Sequence, residues 1–388
     1  MIRSRKALFL CLGLGALGQG GTALALGNDA THALHSYLVA FVFWIGLAWG
    51  SLGWLATFHA GRSRWVVLVR RALEVNAATL PVFALLSLPL FLNASKLYVW
   101  FDNPRVGVGD PELLGFRAAY LSHGFFFGRA ALYFAFWSLS SFGLYRWSRL
   151  QDARPTERIY TVRQRFWSAA TLPALALTIL FASIDWIMSL NPGWVSTMFG
   201  FYLIAGAIVG SWALFTIQSN WLQDTGRLPG RMKPYAQHNI GKLLFAFNIF
   251  WAYIAFSQFM LIWMANLPEE LPWMLARTAT GWQLVAYFLL FGHFVLPFAL
   301  LLPVAWKTQR KPLAWIGGWI LFCCYVDVYW LIMPHLYATA PQPSWMDVTT
   351  FLGVGGIAGA AWLYLAERTA VAPLGDPYLP ESMVESSG

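Results

Sequence analysis

The chain has 388 residues, of which 58% are hydrophobic and only 11% charged, and its net charge is +9. Soluble domains carry about 25% charged residues, so the composition excludes a soluble globular protein, and the apolar runs are too many for a single anchor. The positive charge does not point to nucleic acid, because the basic residues fall in alternate short loops between apolar runs, as membrane topology demands.

Ten hydrophobic spans are expected, over 7–26, 34–58, 75–96, 117–145, 166–190, 196–220, 238–265, 276–304, 313–337 and 348–366. The fold class that follows is an all-α integral membrane protein. Spans two to five and six to nine form two sets of four that start on the same side. This is compatible with two four-helix bundles, 34–190 and 196–337, flanked by helices one and ten within a single domain, 1–368. The 22 Trp and 15 Tyr suit membrane interfaces and packing between such helices.

Most of the 26 basic residues lie in one set of loops. That set runs from Arg3, Arg5 and Lys6 through Arg62–Arg71, Arg146–Arg165, Arg227–Lys233 and Lys307–Lys311 to Arg368. The opposite loops carry Asp29, Asp102, Asp110, Glu112, Glu269, Glu270 and Asp347. The positive-inside rule then puts both termini in the cytoplasm and the acidic loops outside. The first span also resembles a secretory signal, with a basic start and Ala23-Leu24-Ala25 near its end; a retained helix is favoured. Its G-x-G-x-x-G (Gly13, Gly15, Gly18) follows no strand, so it is not a dinucleotide fingerprint. Small residues at such spacing let helices approach closely. The same spacing recurs at Gly46/Gly50, Gly206/Gly210 and Gly355/Gly359. The tail 369–388, rich in Pro and Gly, is expected to be disordered.

The stretch Lys233–Trp273 organises the chain. A basic lip leads into an apolar run long enough to cross a bilayer, which takes ~20 residues. Asn248, Tyr253, Ser257 and Gln258 within it are expected to face protein or water. Prolines interrupt several spans, and Pro297 frees the carbonyl of His293, a place suited to a bound water.

Ionisable groups at depth carry the functional signal, because lipid penalises them by several kcal/mol unless they are paired or hydrated. On a 1.5 Å rise, Asp185 lies ~8 Å and His123 ~9 Å below the outer end. Arg129, His293 and Asp327 lie nearer the centre, and His335 sits near the outer end of span nine. Arg129 with Asp327 is the expected charge pair. Thr171, Thr178 and Asp185, seven apart, stack on one face of span five. Histidine and carboxylate suit proton exchange because burial and partners move their pKa values readily. A quinone headgroup needs such partners, and His123, Asp185 and the Phe125–Phe127 run supply them near the outer face. The plainer reading is polar glue between helices, which fits the threonines best. Cys11, Cys323 and Cys324 form no CxxCH or CxxC pattern, so the chain brings no iron–sulfur cluster or c-type haem of its own.

Three separate runs then agree in order with one family: Lys233–Trp273, Ile184–Leu190 with Pro192 and Trp194, and Arg70-Arg71 through Pro81. Over most of spans two to nine the chain resembles the ActF-type membrane subunit of alternative complex III, related to the NrfD-like polysulfide reductase subunit. The resemblance implies a respiratory quinol:electron acceptor oxidoreductase in a bacterial inner membrane. It also implies partners: a multihaem cytochrome c subunit, an iron–sulfur subunit, a second related ten-helix subunit and in some assemblies a terminal oxidase. The chain itself would contribute quinone binding, a transmembrane proton path, or both, through His123, Arg129, Thr171, Thr178, Asp185, Gln258, His293, Asp327 and His335. The competing classes are a stand-alone proton-coupled transporter and a membrane anchor with no chemistry of its own.

Overall fold

The computed structural model describes residues 5–103, 115 and 118–384. Arg3, Asp110, Glu112, the first position of the span expected at 117–145 and the last residues of the tail lie outside that range. The described residues are mostly helical, as an apolar sequence with no water to satisfy its backbone requires. Among the described residues ten long helical segments follow in order: α1 (Arg5–Asn28), α2 (Ala30–Ala60), α3 (Arg71–Leu92), α4 (His123–Ala153), α5 (Ile159–Trp186), α6 (Phe199–Asp224), α7 (Pro234–Ala265), α8 (Gln283–Leu301), α9 (Arg310–Ile332) and α10 (Trp345–Glu367). Among the described residues nine of these are long and apolar enough to cross a membrane; α4, which carries Arg129 and a run of hydroxyl and aromatic residues, is not one of the nine.

Local sequence explains where these helices bend and stop. Pro81 and Pro89 divide α3 into three short pieces, each proline in the first turn of its piece, where its missing N–H costs nothing. Pro173 is carried inside α5 without a break. In α8 the stretch Leu289–Val295 winds as a π-helix immediately before Pro297. Two of its carbonyls are taken up by side chains: Trp319 Nε1–H donates to Gly292 O at 2.8 Å, and Asn248 Nδ2–H to Phe294 O at 3.3 Å. The long apolar run ends where Asn266 adopts a left-handed conformation (φ 50°), one of the few non-glycine residues that tolerates it.

Helix α2 is the axis of the packing. It touches α1, α3, α5, α6, α9 and α10, and most of its side chains are buried, Tyr37, Phe41 and Trp49 among them. Helix α4 packs on α3 and α5, while α7 and α9 pack on α6. Among the described residues the most extensive helix–helix contact is that of α1 with α10. A Cβ on Gly18 would collide with the backbone of Gly353, and one on Gly356 with that of Gly15. Gly15 and Gly18 of the first span are thus an interhelical contact with Gly356 and Gly353, whereas Gly13 meets nothing within 4 Å among the described residues. Gly355 abuts the Trp44 ring.

The segment after Arg368 was expected to be disordered, and here the structure differs. It folds back over the arginine-rich end as far as Val384. Met383–Val384 pairs antiparallel with Arg231–Met232. The Asp376 carboxylate accepts from Arg70 Nη2–H at 2.6 Å; Arg70 Nε–H also reaches Glu74 at 3.1 Å. Arg71 bonds Glu74 at 2.7 Å, Ser148 at 3.0 Å and Asp152, and Asp152 accepts from Gly375 N at 3.0 Å. Arg70, Arg71, Glu74 and Asp376 are all buried. Burial opposes the Arg70 charge, but Asp376 and Glu74 outweigh it and hold its pKa above the ordinary arginine range. Composition suggested disorder because it counts Pro and Gly; it does not register four buried charges that need each other.

Candidate functional site

Among the described residues, Asp185 and Asp327 each anchor a cluster of buried ionisable side chains within the helical body. The first joins α4 and α5. Arg129 Nε–H and Nη2–H donate to the two oxygens of Asp185 at 3.0 and 2.8 Å, and Tyr133 O–H donates to Asp185 Oδ2 at 2.9 Å. Tyr133 follows Arg129 by four residues, so both point off one face of α4. Arg129 Nη1–H reaches Tyr120 O at 2.7 Å, and its guanidinium lies over the Tyr120 and Phe125 rings at 3.8 and 4.4 Å. Asp185 is 1% exposed. Such a forked pair is the arrangement that best compensates two charges away from water.

Arg129 was expected to pair with Asp327. The structure corrects this: span four faces span five, not span nine. Thr178 shares the Asp185 face, accepting from Trp137 Nε1–H at 2.9 Å. Thr171 is buried with no partner for its hydroxyl among the described residues. His123, expected beside Asp185, stands apart on the exposed rim. Its ring stacks on Phe101 at 3.9 Å, and its Nε2 bonds Phe101 O at 2.8 Å. A carbonyl can only accept, so that nitrogen carries the hydrogen. Beside the cluster opens a cleft of about 390 Å³, lined by Tyr120, Phe181, Ile184, Met188, Ser189 and Trp194 among others. Ser189 O–H in turn donates to Asp185 O at 2.5 Å.

The second cluster joins α6, α7, α8 and α9. Asp327, 3% exposed, accepts from Tyr202 O–H at 2.6 Å and from Trp251 Nε1–H at 3.0 Å. His293 stacks on the Trp251 ring at 3.8 Å, with Nε2 3.8 Å from Cys324 Sγ and Nδ1 unpartnered among the described residues. The π-turn places His293 inward at this depth. No cation within ion-pair distance of Asp327 is found among the described residues. Asp327 and Cys324 also line a cavity of about 20 Å³ with Gly46 and Gly206, room for about one water.

The remaining expected residues, Gln258 and His335, lie outside both clusters. Gln258 accepts from Ser196 O–H at 2.8 Å, tying α7 to the turn before α6. His335 Nε2 lies 3.0 Å from Arg277 Nη2. Arg277, which reading the sequence did not single out, is 1% exposed, donates to Trp273 O and Leu331 O and lies over the Trp273 ring at 3.8 Å. Tyr133, Tyr202 and Trp251 were also missed. The i+4 spacing of Tyr133 from Arg129 was a usable signal. Nothing local to Tyr202 or Trp251 announces Asp327, which is 125 and 76 residues away.

The two clusters differ chemically. Asp185 is locked in an ion pair and serves as a fixed acceptor. Asp327 is held by neutral donors only, so of the two it can take up or release a proton without breaking a salt bridge. No protein-family model matches the chain, and no curated protein matches it.

Proposed function

We propose that the chain is the membrane subunit of a respiratory quinol:electron acceptor oxidoreductase of the alternative complex III type. In this reading it spans the membrane ten times as two four-helix bundles, α2–α5 and α6–α9, with α1 and α10 outside them. The arginine-rich loops and both termini face the cytoplasm of a bacterial inner membrane. Haem c and iron–sulfur clusters belong to partner subunits on the acidic side, beside a second related membrane subunit.

The observation that carries the reading is the cleft resting on the Asp185 cluster. Tyr120 both lines the cleft and covers Arg129, so a quinol ring there would meet a prearranged charged pair through one aromatic wall. The quinol hydroxyls would find Ser189 and the Tyr120 hydroxyl as partners. Asp327, with the small cavity it lines, and His293 on the Trp251 ring supply a proton-exchanging station in the other half of the chain.

Purification of the native assembly tests the class: c-type haem must co-purify, and a haem-free preparation overturns it. Asp185→Asn in that assembly is expected to lower quinol-dependent turnover or proton translocation while the subunits remain together. Unchanged rates and stoichiometry would mark the chain as an anchor. Transport by the isolated chain in liposomes would favour the transporter class, for which the π-turn of α8 near mid-span is the supporting feature.

A further inference from the structure

The basic end of the molecule spends several of its arginines on carboxylates: Arg64, Arg70, Arg71, Arg154 and Arg310 each meet one. Where α7 begins and α8 ends the sequence departs from this. No acidic residue occurs from Thr225 to Pro268 or from Leu302 to Pro312, although basic residues occur in both. His238 and Lys242, four apart, share one face near the start of α7. The one-turn helix Val304–Thr308 that follows α8 packs on α7 beside them. A Cβ on Gly241 would lie 2.6 Å from Lys307 O, a backbone approach that only glycine permits. That contact brings Lys307 within electrostatic reach of His238, as Lys242 is along its own helix.

The fold therefore gathers cations here without supplying an anion. Among the described residues neither Lys242 nor Lys307 has a carboxylate within ion-pair distance, and Arg310, three residues on, is taken by Asp224 at 2.8 Å. Like charges held together repel, so an anion joining them lowers the free energy of the arrangement. Lys307 Nζ is already aimed, donating to Leu302 O at 3.2 Å over the Phe245 ring at 5.1 Å, and an ammonium has two further hydrogens to give. The surroundings are those of a lipid surface. Tyr235 and Trp306 flank the cations and are 51% and 41% exposed, as interfacial aromatics are. Phe245 stacks on Phe298 of α8 at 5.3 Å, and Leu302 and Val304 are exposed.

We propose that His238, Lys242 and Lys307 hold the phosphate of an anionic phospholipid at the membrane surface, its acyl chains lying against Phe245, Phe298 and Leu302. Charge selects the class. A zwitterionic lipid brings its own ammonium to a place that has cations and no carboxylate, whereas a phosphatidylglycerol-type headgroup brings only the missing negative charge. Basic pockets between helices at the cytoplasmic surface recognise lipids in this way. The proposal rests on the chain spanning a membrane and not on the redox reading.

Photolabelling tests it. The protein purified from its own membrane, with any chains that accompany it, is placed in phosphatidylcholine nanodiscs. The probes are phosphatidylglycerol and phosphatidylcholine bearing the same diazirine near the glycerol, and labelled peptides are mapped by mass spectrometry. Label from the glycerol lipid is expected to exceed that from the choline lipid on 235–245 and 302–308. Lys242→Gln with Lys307→Gln is expected to cut that excess roughly tenfold or more, at the strength of two basic residues on a lipid surface. Arg158→Gln with Arg163→Gln removes the same charge from exposed positions of another loop and is expected to leave the excess intact. Gly241→Ala, which parts the two helices and alters no charge, is expected to weaken it; if that variant fails to fold, the lysine pair decides. Equal label from the two lipids, an excess unchanged in the lysine variant, or equal loss in both double variants would each overturn the proposal, the last by showing only a general field. Displacement by inorganic phosphate as readily as by unlabelled phosphatidylglycerol would also overturn it, by assigning the place to a free anion.

Discussion

Arg129 and Asp185, 56 residues apart in sequence, meet through two parallel hydrogen bonds of 3.0 and 2.8 Å. The pair joins α4, the least apolar of the long helices, to α5, and so explains how α4 can carry an arginine at depth. Removing one partner leaves an uncompensated buried charge, at a cost of about 3–5 kcal/mol; replacing both with apolar residues of similar size is often neutral or stabilising. We therefore expect Arg129→Met with Asp185→Leu together to melt closer to the wild type than Asp185→Leu alone does. Thermal unfolding in detergent measures this, and a double variant less stable than both singles would refute it.

Asp327 depends on Tyr202 and Trp251. Tyr202→Phe keeps the ring and removes one hydrogen bond to the carboxyl group, worth about 1.5–3 kcal/mol when one partner is charged. The same variant frees Asp327 on the side of the small cavity. A loss of stability in that range is expected, with altered proton-coupled turnover if the second cluster carries protons. Wild-type stability and turnover together would assign Tyr202 no part in the site.

The contact of α1 with α10 gives a geometric prediction. A Cβ placed on Gly359 would lie 3.6 Å from Cys11 Sγ, within reach of a disulfide after a small adjustment. Oxidation of Gly359→Cys should produce an intrachain crosslink seen by mass spectrometry of the peptides. Failure under conditions that oxidise exposed thiols would mean the two helices do not pack in this register.

The returning tail makes a prediction at the arginine-rich end. Asp376→Ala strips a buried partner from Arg70, which keeps only Glu74, itself shared with Arg71. Destabilisation of a few kcal/mol is expected, together with faster proteolysis after Arg368. Asp376→Glu should recover part of the loss. Equal protease resistance in Asp376→Ala and wild type would show that the tail is not held by this contact.

Much of this protein is written in its composition and periodicity. Runs of ~20 apolar residues in lipid have one backbone solution, and the prolines, Asn266 and the glycine pairs act through local sterics, so helices and many of their ends follow from sequence alone. Which polar groups share a cavity does not follow. Asp185 found Arg129, Asp327 found Tyr202 and Trp251, His123 found only Phe101, and Asp376 found Arg70. Each choice depends on which helices are neighbours and how each is rotated about its own axis. That is decided by the summed packing of many small contacts across the α2–α6 core, where no single residue carries the signal.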